Sequence, residues 1–337
     1  MSERQRATEP DSTAMSERQR ATEPDSTVMM FDEAVRLVLT ARTPADLFAA
    51  HTFRQLARAV HPDRVEPGRR ATATRAFTRL AALWREHRGY GFGPLAYSGE
   101  LANLYEADSG HLKLIRNPAN NDLMDRETRA LTVIATEGDP RYLPYVPRLV
   151  SSFRHRDPAT GAERRANIVE AGATGLHSLV EVRSRYPDGV DPRDAAWMWR
   201  RLLVALGLAH HAGVVHGAVL PEHVLIQPAD HGVVLVDWCY SAIGDRIPAI
   251  VAARRDWYPR EVLDRLSPGP GTDIAMAAGC LRYLMADRAP GPLLDFADGC
   301  AQPALRNRPD NAWRLLREFD GLLERLYGPR KFRPFSL

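Results

Sequence analysis

A chain of 337 residues with 45% hydrophobic and 26% charged residues has the profile of a globular protein with room for two ordinary domains, which excludes disorder of the whole chain. Its formal net charge of +3 is small for that length and no stripe of interleaved arginines and aromatics stands out, so no nucleic-acid partner is expected. No uncharged apolar run reaches the ~20 residues that span a bilayer, and the N-terminus is polar where a signal peptide would be apolar. Cys239, Cys280 and Cys300 lie far apart and form no closely spaced ligand set with histidines, so a reducing, cytoplasmic setting without a membrane is expected.

Met1 to Thr13 recurs letter for letter from Met15 to Thr27. A polar duplication with no apolar face cannot build a packed repeat, so residues 1–27 are expected to be a disordered tail. The first copy reads as a cloning scar or a mis-set start.

Residues 28–89 read as a small helical module. Phe53, Leu56, Ala57 and Val60 recur at i, i+3, i+4 and i+7, which is one helical face, while Arg54 and Arg58 share another. Pro62 disfavours helical geometry in the residue before it, so this helix should stop at His61. A second amphipathic helix carries Phe77, Leu80, Leu83 and Trp84, and Phe31 to Leu39 suggests a further helix upstream. Phe53-Arg54-Gln55-Leu56-Ala57 followed by His61-Pro62-Asp63-Arg64 resembles the J-domain of DnaJ-type co-chaperones. The resemblance implies a DnaK-type heat-shock chaperone as partner, with Arg54, Arg58, His61, Pro62, Asp63 and Arg64 as the contact surface. The residue chemistry agrees: arginine presents a planar donor fork to an acidic partner, and proline fixes the loop.

Residues 90–337 carry a second set of landmarks. The string His216-Gly217-Ala218-Val219-Leu220-Pro221-Glu222-His223 precedes a hairpin that ends in Asp237-Trp238-Cys239. This layout resembles the catalytic and metal-binding loops of eukaryotic-like protein kinases. Ala218 stands where that family has the Asp that accepts the substrate proton, and His223 where it has a magnesium-binding Asn. Tyr97 to Tyr105 aligns with the glycine-rich loop, with Gly99 at its second glycine and Leu104 under the adenine, but Tyr97 and Ala102 replace the other glycines. Lys113 falls where the family has its phosphate-binding Lys and His111 where a small residue packs on adenine. Glu127 shares a helical face with Leu123, Leu131 and Ile134, and a charge on an apolar face needs a partner, for which Lys113 is the obvious choice. The same resemblance implies that Glu261 pairs with Arg308 and that Asp273 braces the backbone of the loop at His216.

The resemblances together imply an α+β protein: a small all-α module, then a bilobal kinase-like domain with a β-rich small lobe and an α-rich large lobe. With Ala218 and His223 in place of the chemical groups, the domain looks like a pseudokinase, a co-chaperone's module for binding a client or partner protein or for sensing a nucleotide. ATP and Mg²⁺ would be its cofactors if any, held by Gly99, Leu104, Lys113, Glu127 and Asp237, with Asp237 the metal ligand. The alternative is an atypical active Ser/Thr kinase or nucleotidyl transferase in which His223 or Asp245 supplies the base. The basic, aromatic stretch from Gly328 to Phe335 is expected to pack on the large lobe.

Overall fold

Alternation of apolar residues at helical spacing is realised in four helices of the first unit: α1 (Phe31–Thr40), α2 (Ala45–Phe48), α3 (Phe53–Val60) and α4 (Arg70–Arg88). The computed structural model describes residues 29–88, 93–107, 110–157 and 160–337, so the duplicated tail and Asp108 and Ser109 lie outside the described residues. The chain divides into two compact units, the first ending at Gly89 and the second beginning at Tyr90.

In the first unit Ala34 and Val38 of α1, Leu47 of α2, Leu56 and Val60 of α3, and Ala76, Leu80 and Leu83 of α4 close one core. Trp84 covers one end of it, stacked on Phe53 and edge-on to Phe48, each at 5.0 Å. α3 starts at a capping box: the Thr52 hydroxyl accepts from the Gln55 amide at 3.3 Å and the Gln55 side chain accepts from the Thr52 amide at 2.9 Å. It stops where Pro62 requires, with His61 extended at φ −67°, ψ 126°.

The second unit is a mixed α+β structure. Five antiparallel strands, β1 (Leu95–Ser98), β2 (Ala102–Ala107), β3 (Gly110–Ile115), β4 (Arg148–Arg156) and β5 (Glu163–Glu170), stand in the order β1-β2-β3-β5-β4. α5 (Asn121–Glu137) packs against β4 and β5. A small sheet of β6 (His177–Ser178), β7 (Val224–Gln227) and β8 (Gly232–Leu235) follows, with α6 (Leu179–Arg185) beside it. The rest is helical: α7 (Pro192–His211), α8 (Arg260–Leu263), α9 (Pro270–Met285), α10 (Gly291–Cys300) and α11 (Ala312–Tyr327). α7 and α9 are buried over most of their length and form the centre of the core. Among the described residues no helix is long and apolar enough to cross a membrane.

Two tertiary braces hold loops that the sequence expectations singled out. Arg308 makes a two-pronged ion pair with Glu261, at 2.6 and 3.1 Å, and the Thr272 hydroxyl donates to the same carboxylate at 3.0 Å. Asp273, fully buried at the start of α9, accepts from the amides of His216 at 2.7 Å and Gly217 at 2.8 Å. Gly217 has φ +77°, and a Cβ there would lie 2.6 Å from the Tyr240 carbonyl, so the turn needs glycine.

Candidate functional site

The site grows from the register of the five-stranded sheet. Lys113 is paired across the ladder with Leu104 on one side and Asn167 on the other, so all three project from one face. α5 lies against that face and turns Leu123, Met124, Glu127, Ala130, Leu131 and Ile134 inward. The buried Glu127 carboxylate is bound at both oxygens, by the Lys113 ammonium at 2.8 Å and by the Asn167 amide at 3.0 Å. Asn167 also donates to the Met124 carbonyl at 3.1 Å, while its own oxygen accepts from Ser152 at 2.7 Å. Every polar atom of this buried group therefore has a partner.

The loop after β8 brings the second carboxylate. Asp237 takes the left-handed conformation, φ 66° and ψ 60°, which Asp tolerates better than most residues. That turn points one oxygen at Lys113, in a very short contact, and the other at Nε2 of His223, 3.1 Å away. The Cys239 sulfur lies 3.2 Å from the same ammonium. Burial would lower the Lys113 pKa, but the Asp237 and Glu127 carboxylates outweigh it and hold the ammonium well above its usual range. Asp237 is likewise pushed up by burial and pulled further down by Lys113 and His223, ending well below the carboxylate range. Burial drives the Cys239 thiol well up, so it stays protonated.

His223 is the least expected member. Its Nδ1 faces the Ala218 carbonyl at 2.8 Å and its Nε2 faces Asp237, two acceptors, so both nitrogens must carry protons. Burial opposes that charge, yet Asp237 more than compensates and the pKa is raised. Lys113 and His223 thus balance Glu127 and Asp237 in a closed, neutral quartet. His216 next to it has the opposite wiring: Nε2 donates to the Val236 carbonyl at 2.9 Å and Nδ1 accepts from the Ala218 amide at 3.2 Å. It is neutral, and burial pushes its pKa down to about 4.

The expected nucleotide-binding residues divide. Lys113, Glu127 and Asp237 come together, and Leu104 shares their face. Gly99 does not offer a phosphate cradle: its amide donates to the Ala102 carbonyl at 3.0 Å, and its carbonyl accepts from Arg116 at 3.0 Å. The loop closes as a hairpin turn whose backbone donor is spent. His111 is exposed, so its ring does not enter the core. Ala218 is fully buried, a methyl group with no proton acceptor to offer. Asp245 is committed to Arg126 at 2.7 Å, and this contact helps hold its pKa low against burial.

The fit for a divalent cation is poor. Glu127, Asp237 and Cys239 each present one ligand atom within 4.8 Å of the others. The Lys113 ammonium touches all three, and a protonated thiol and an adjacent imidazolium are the wrong surroundings for Mg²⁺, which takes oxygen ligands in an octahedron. Both oxygens of Asp237, the expected magnesium ligand, face protein cations.

In the first unit Arg54, Arg58, Asp63 and Arg64 are exposed and His61 and Pro62 half-buried at the end of α3. The His61 ring meets Phe77 edge-on at 5.2 Å and its Nδ1 accepts from the Asp63 amide at 3.2 Å, which fixes the turn that displays Asp63. Sequence reasoning missed Asn167, Cys239 and the positive charge on His223. All three depend on pairings across the fold that spacing does not encode. No protein-family model matches the chain, and no curated protein sequence matches it.

Proposed function

We propose that the chain is a J-domain co-chaperone that stimulates a DnaK-type ATPase, and that its second unit is a kinase-like fold without phosphoryl-transfer chemistry, used to bind a client or partner protein. The observation that carries this reading is the display of His61-Pro62-Asp63: the tripeptide ends a capped helix, His61 is braced on Phe77, and Arg54, Arg58 and Arg64 stand exposed around it. Ala218 and the closed quartet support the second half. A kinase needs a group to take or orient the hydroxyl proton and metal ions to neutralise the phosphates. By the resemblance the first would stand at Ala218, a buried methyl group, and the second beside Asp237, whose oxygens face Lys113 and His223.

The test is single-turnover ATP hydrolysis by a DnaK-type chaperone from the same cell, with the intact chain and with His61→Gln. Stimulation lost in the variant is the expected result; equal rates with both proteins would sink the co-chaperone reading. The Lys113–Glu127 pair favours a second reading, a residual kinase or nucleotidyl transferase. Its mark would be ATP-dependent autophosphorylation that disappears in Lys113→Ala, and the first reading expects no such labelling.

A further inference from the structure

The segment after α11 has neither helix nor strand, yet it is seated on the second unit by side chains of alternating kind. The indole of Trp197 and the ring of His231 are stacked 4.0 Å apart at 7°, and Phe332 continues the stack on the other face of His231 at 4.5 Å. Phe335 packs between Tyr186, at 5.5 Å, and Trp197, at 6.0 Å. Between the two aromatics Arg333 faces Asp191 and Asp194, and the backbone is held twice, by His231 Nε2 on the Arg333 carbonyl at 2.8 Å and by the Tyr186 hydroxyl on the Ser336 carbonyl at 2.7 Å. The groove reads an aromatic, a cation and a second aromatic in sequence.

Its walls are built for the purpose. Asp194 is 7% exposed in the first turn of α7, and burial raises its pKa, an expensive place for a carboxylate without a cation opposite. His231 sits at φ +54° in the β7–β8 turn, a conformation that costs a non-glycine residue about 1 kcal/mol or more. That turn delivers its ring to the stack.

The occupant, however, fits loosely. The Arg333 guanidinium approaches the two carboxylates only to 3.4 and 3.5 Å, where a charge-assisted hydrogen bond closes to about 2.7–2.9 Å. Asp194 Oδ1 and Arg333 Nε face each other at 3.4 Å without closing to a hydrogen bond, Trp197 Nε1 is buried without an acceptor, and Phe332 remains 64% exposed despite its stack. A buried indole donor without an acceptor beside a stretched ion pair marks a site whose polar complement is incomplete.

We propose that the groove lined by Tyr186, Asp191, Asp194, Trp197 and His231 is a docking site for a partner protein's peptide of the form aromatic-Arg-x-aromatic, and that Phe332-Arg333-Pro334-Phe335 is its placeholder in cis. The partner peptide would bring its Arg close enough to bond Asp194 and would offer an acceptor to the Trp197 indole. Displacement exposes the segment after α11, so occupancy is read out by its release. The argument rests on the groove alone and stands whether or not the first unit acts on a chaperone.

The test uses a fluorescent peptide of residues 329–337 and the full chain carrying Arg333→Ala and Phe335→Ala, which frees the groove. A tethered occupant competes at an effective concentration of order mM, so the peptide is expected to bind the freed chain at least about tenfold more tightly than the wild type. Alanine at the two corresponding peptide positions, or Asp194→Asn in the freed chain, should each cut that binding about tenfold or more, as loss of a charge-assisted bond predicts. A folded, freed chain that ignores the peptide overturns the proposal. So does a freed chain that turns from dimer to monomer on losing its own segment, because the groove would then belong to a second copy. Hydrogen exchange gives a check on the intact chain: excess peptide should speed exchange of the amides from 330 to 336, and unchanged exchange with the peptide in excess would also overturn the proposal.

Discussion

His216 must donate from one ring nitrogen and accept at the other, whereas His223 faces an acceptor at each, so two neighbouring buried imidazoles are held in opposite charge states by geometry. Their linkage to stability has opposite signs. For His216 the folded pKa lies below the unfolded one, so as pH falls from about 6.5 the unfolded chain takes up a proton that the folded chain refuses. With a folded value of about 4, this costs about 3 kcal/mol of stability between pH 6.5 and 4. For His223 the folded pKa is raised, so its stabilisation is fully present below about pH 6.5 and is lost as pH rises through the folded value. His223→Asn should therefore cost about 2 kcal/mol at pH 6, the worth of a hydrogen bond between charged groups. The gap between wild type and variant should narrow steadily toward pH 9. Urea unfolding of the second unit across that range measures it, and a gap that stays constant with pH would show His223 to be neutral.

At the scale of elements, the helices were legible because their apolar residues repeat at helical spacing, and the end of α3 was legible because Pro62 stops it, whereas its Thr52 cap was not read. The Lys113–Glu127 pair was likewise expected, from a charge on an apolar helical face, and the Glu261–Arg308 pair and the Asp273 brace were expected from the resemblance to protein kinases. What the sequence hid was the company those charges keep. Asn167 completes Glu127, and Cys239 and His223 complete the quartet, through contacts between residues remote in sequence whose register only the folded sheet fixes. The same holds for the segment after α11: its packing was expected, but not the acidic pair and aromatic shelf that receive it. The Arg308 brace shows how much such an element-level contact carries. Its guanidinium joins α8 to the Gln302 and Pro303 carbonyls, at 2.6 and 3.1 Å, besides Glu261. Arg308→Ala strands a buried carboxylate and should destabilise the second unit by about 3–5 kcal/mol. Arg308→Lys restores the charge without the planar fork, so it should recover only part of that loss. Denaturant midpoints of the two variants check the order; a lysine variant as stable as the wild type would mean that charge alone holds the brace.

For the molecule as a whole, the two units differ sharply in how much core they can spare. The first closes on a short set of residues, Ala34, Val38, Ala41, Leu47, Leu56, Val60, Ala76, Leu80 and Leu83, whereas the second is built around the long buried faces of α7 and α9. A domain of about 60 residues buries only about 60% of its unfolded surface and has a few kcal/mol of stability to lose. Emptying one core leucine costs about 2–5 kcal/mol, which is of the same size. Leu80→Ala should thus unfold most of the first unit at 37 °C while the transition of the second stays where it was. The displayed tripeptide depends on that core, because His61 is braced on Phe77 of α4 one turn before Leu80. If the proposed co-chaperone function holds, Leu80→Ala should abolish stimulation of a DnaK-type ATPase as completely as His61→Gln should, although Leu80 is buried and can touch no partner. Calorimetry separates the two causes, since His61→Gln should leave the first unit's transition nearly unmoved. If Leu80→Ala melted the first unit and stimulation persisted, the ATPase would be responding to something other than the folded α3–α4 hairpin.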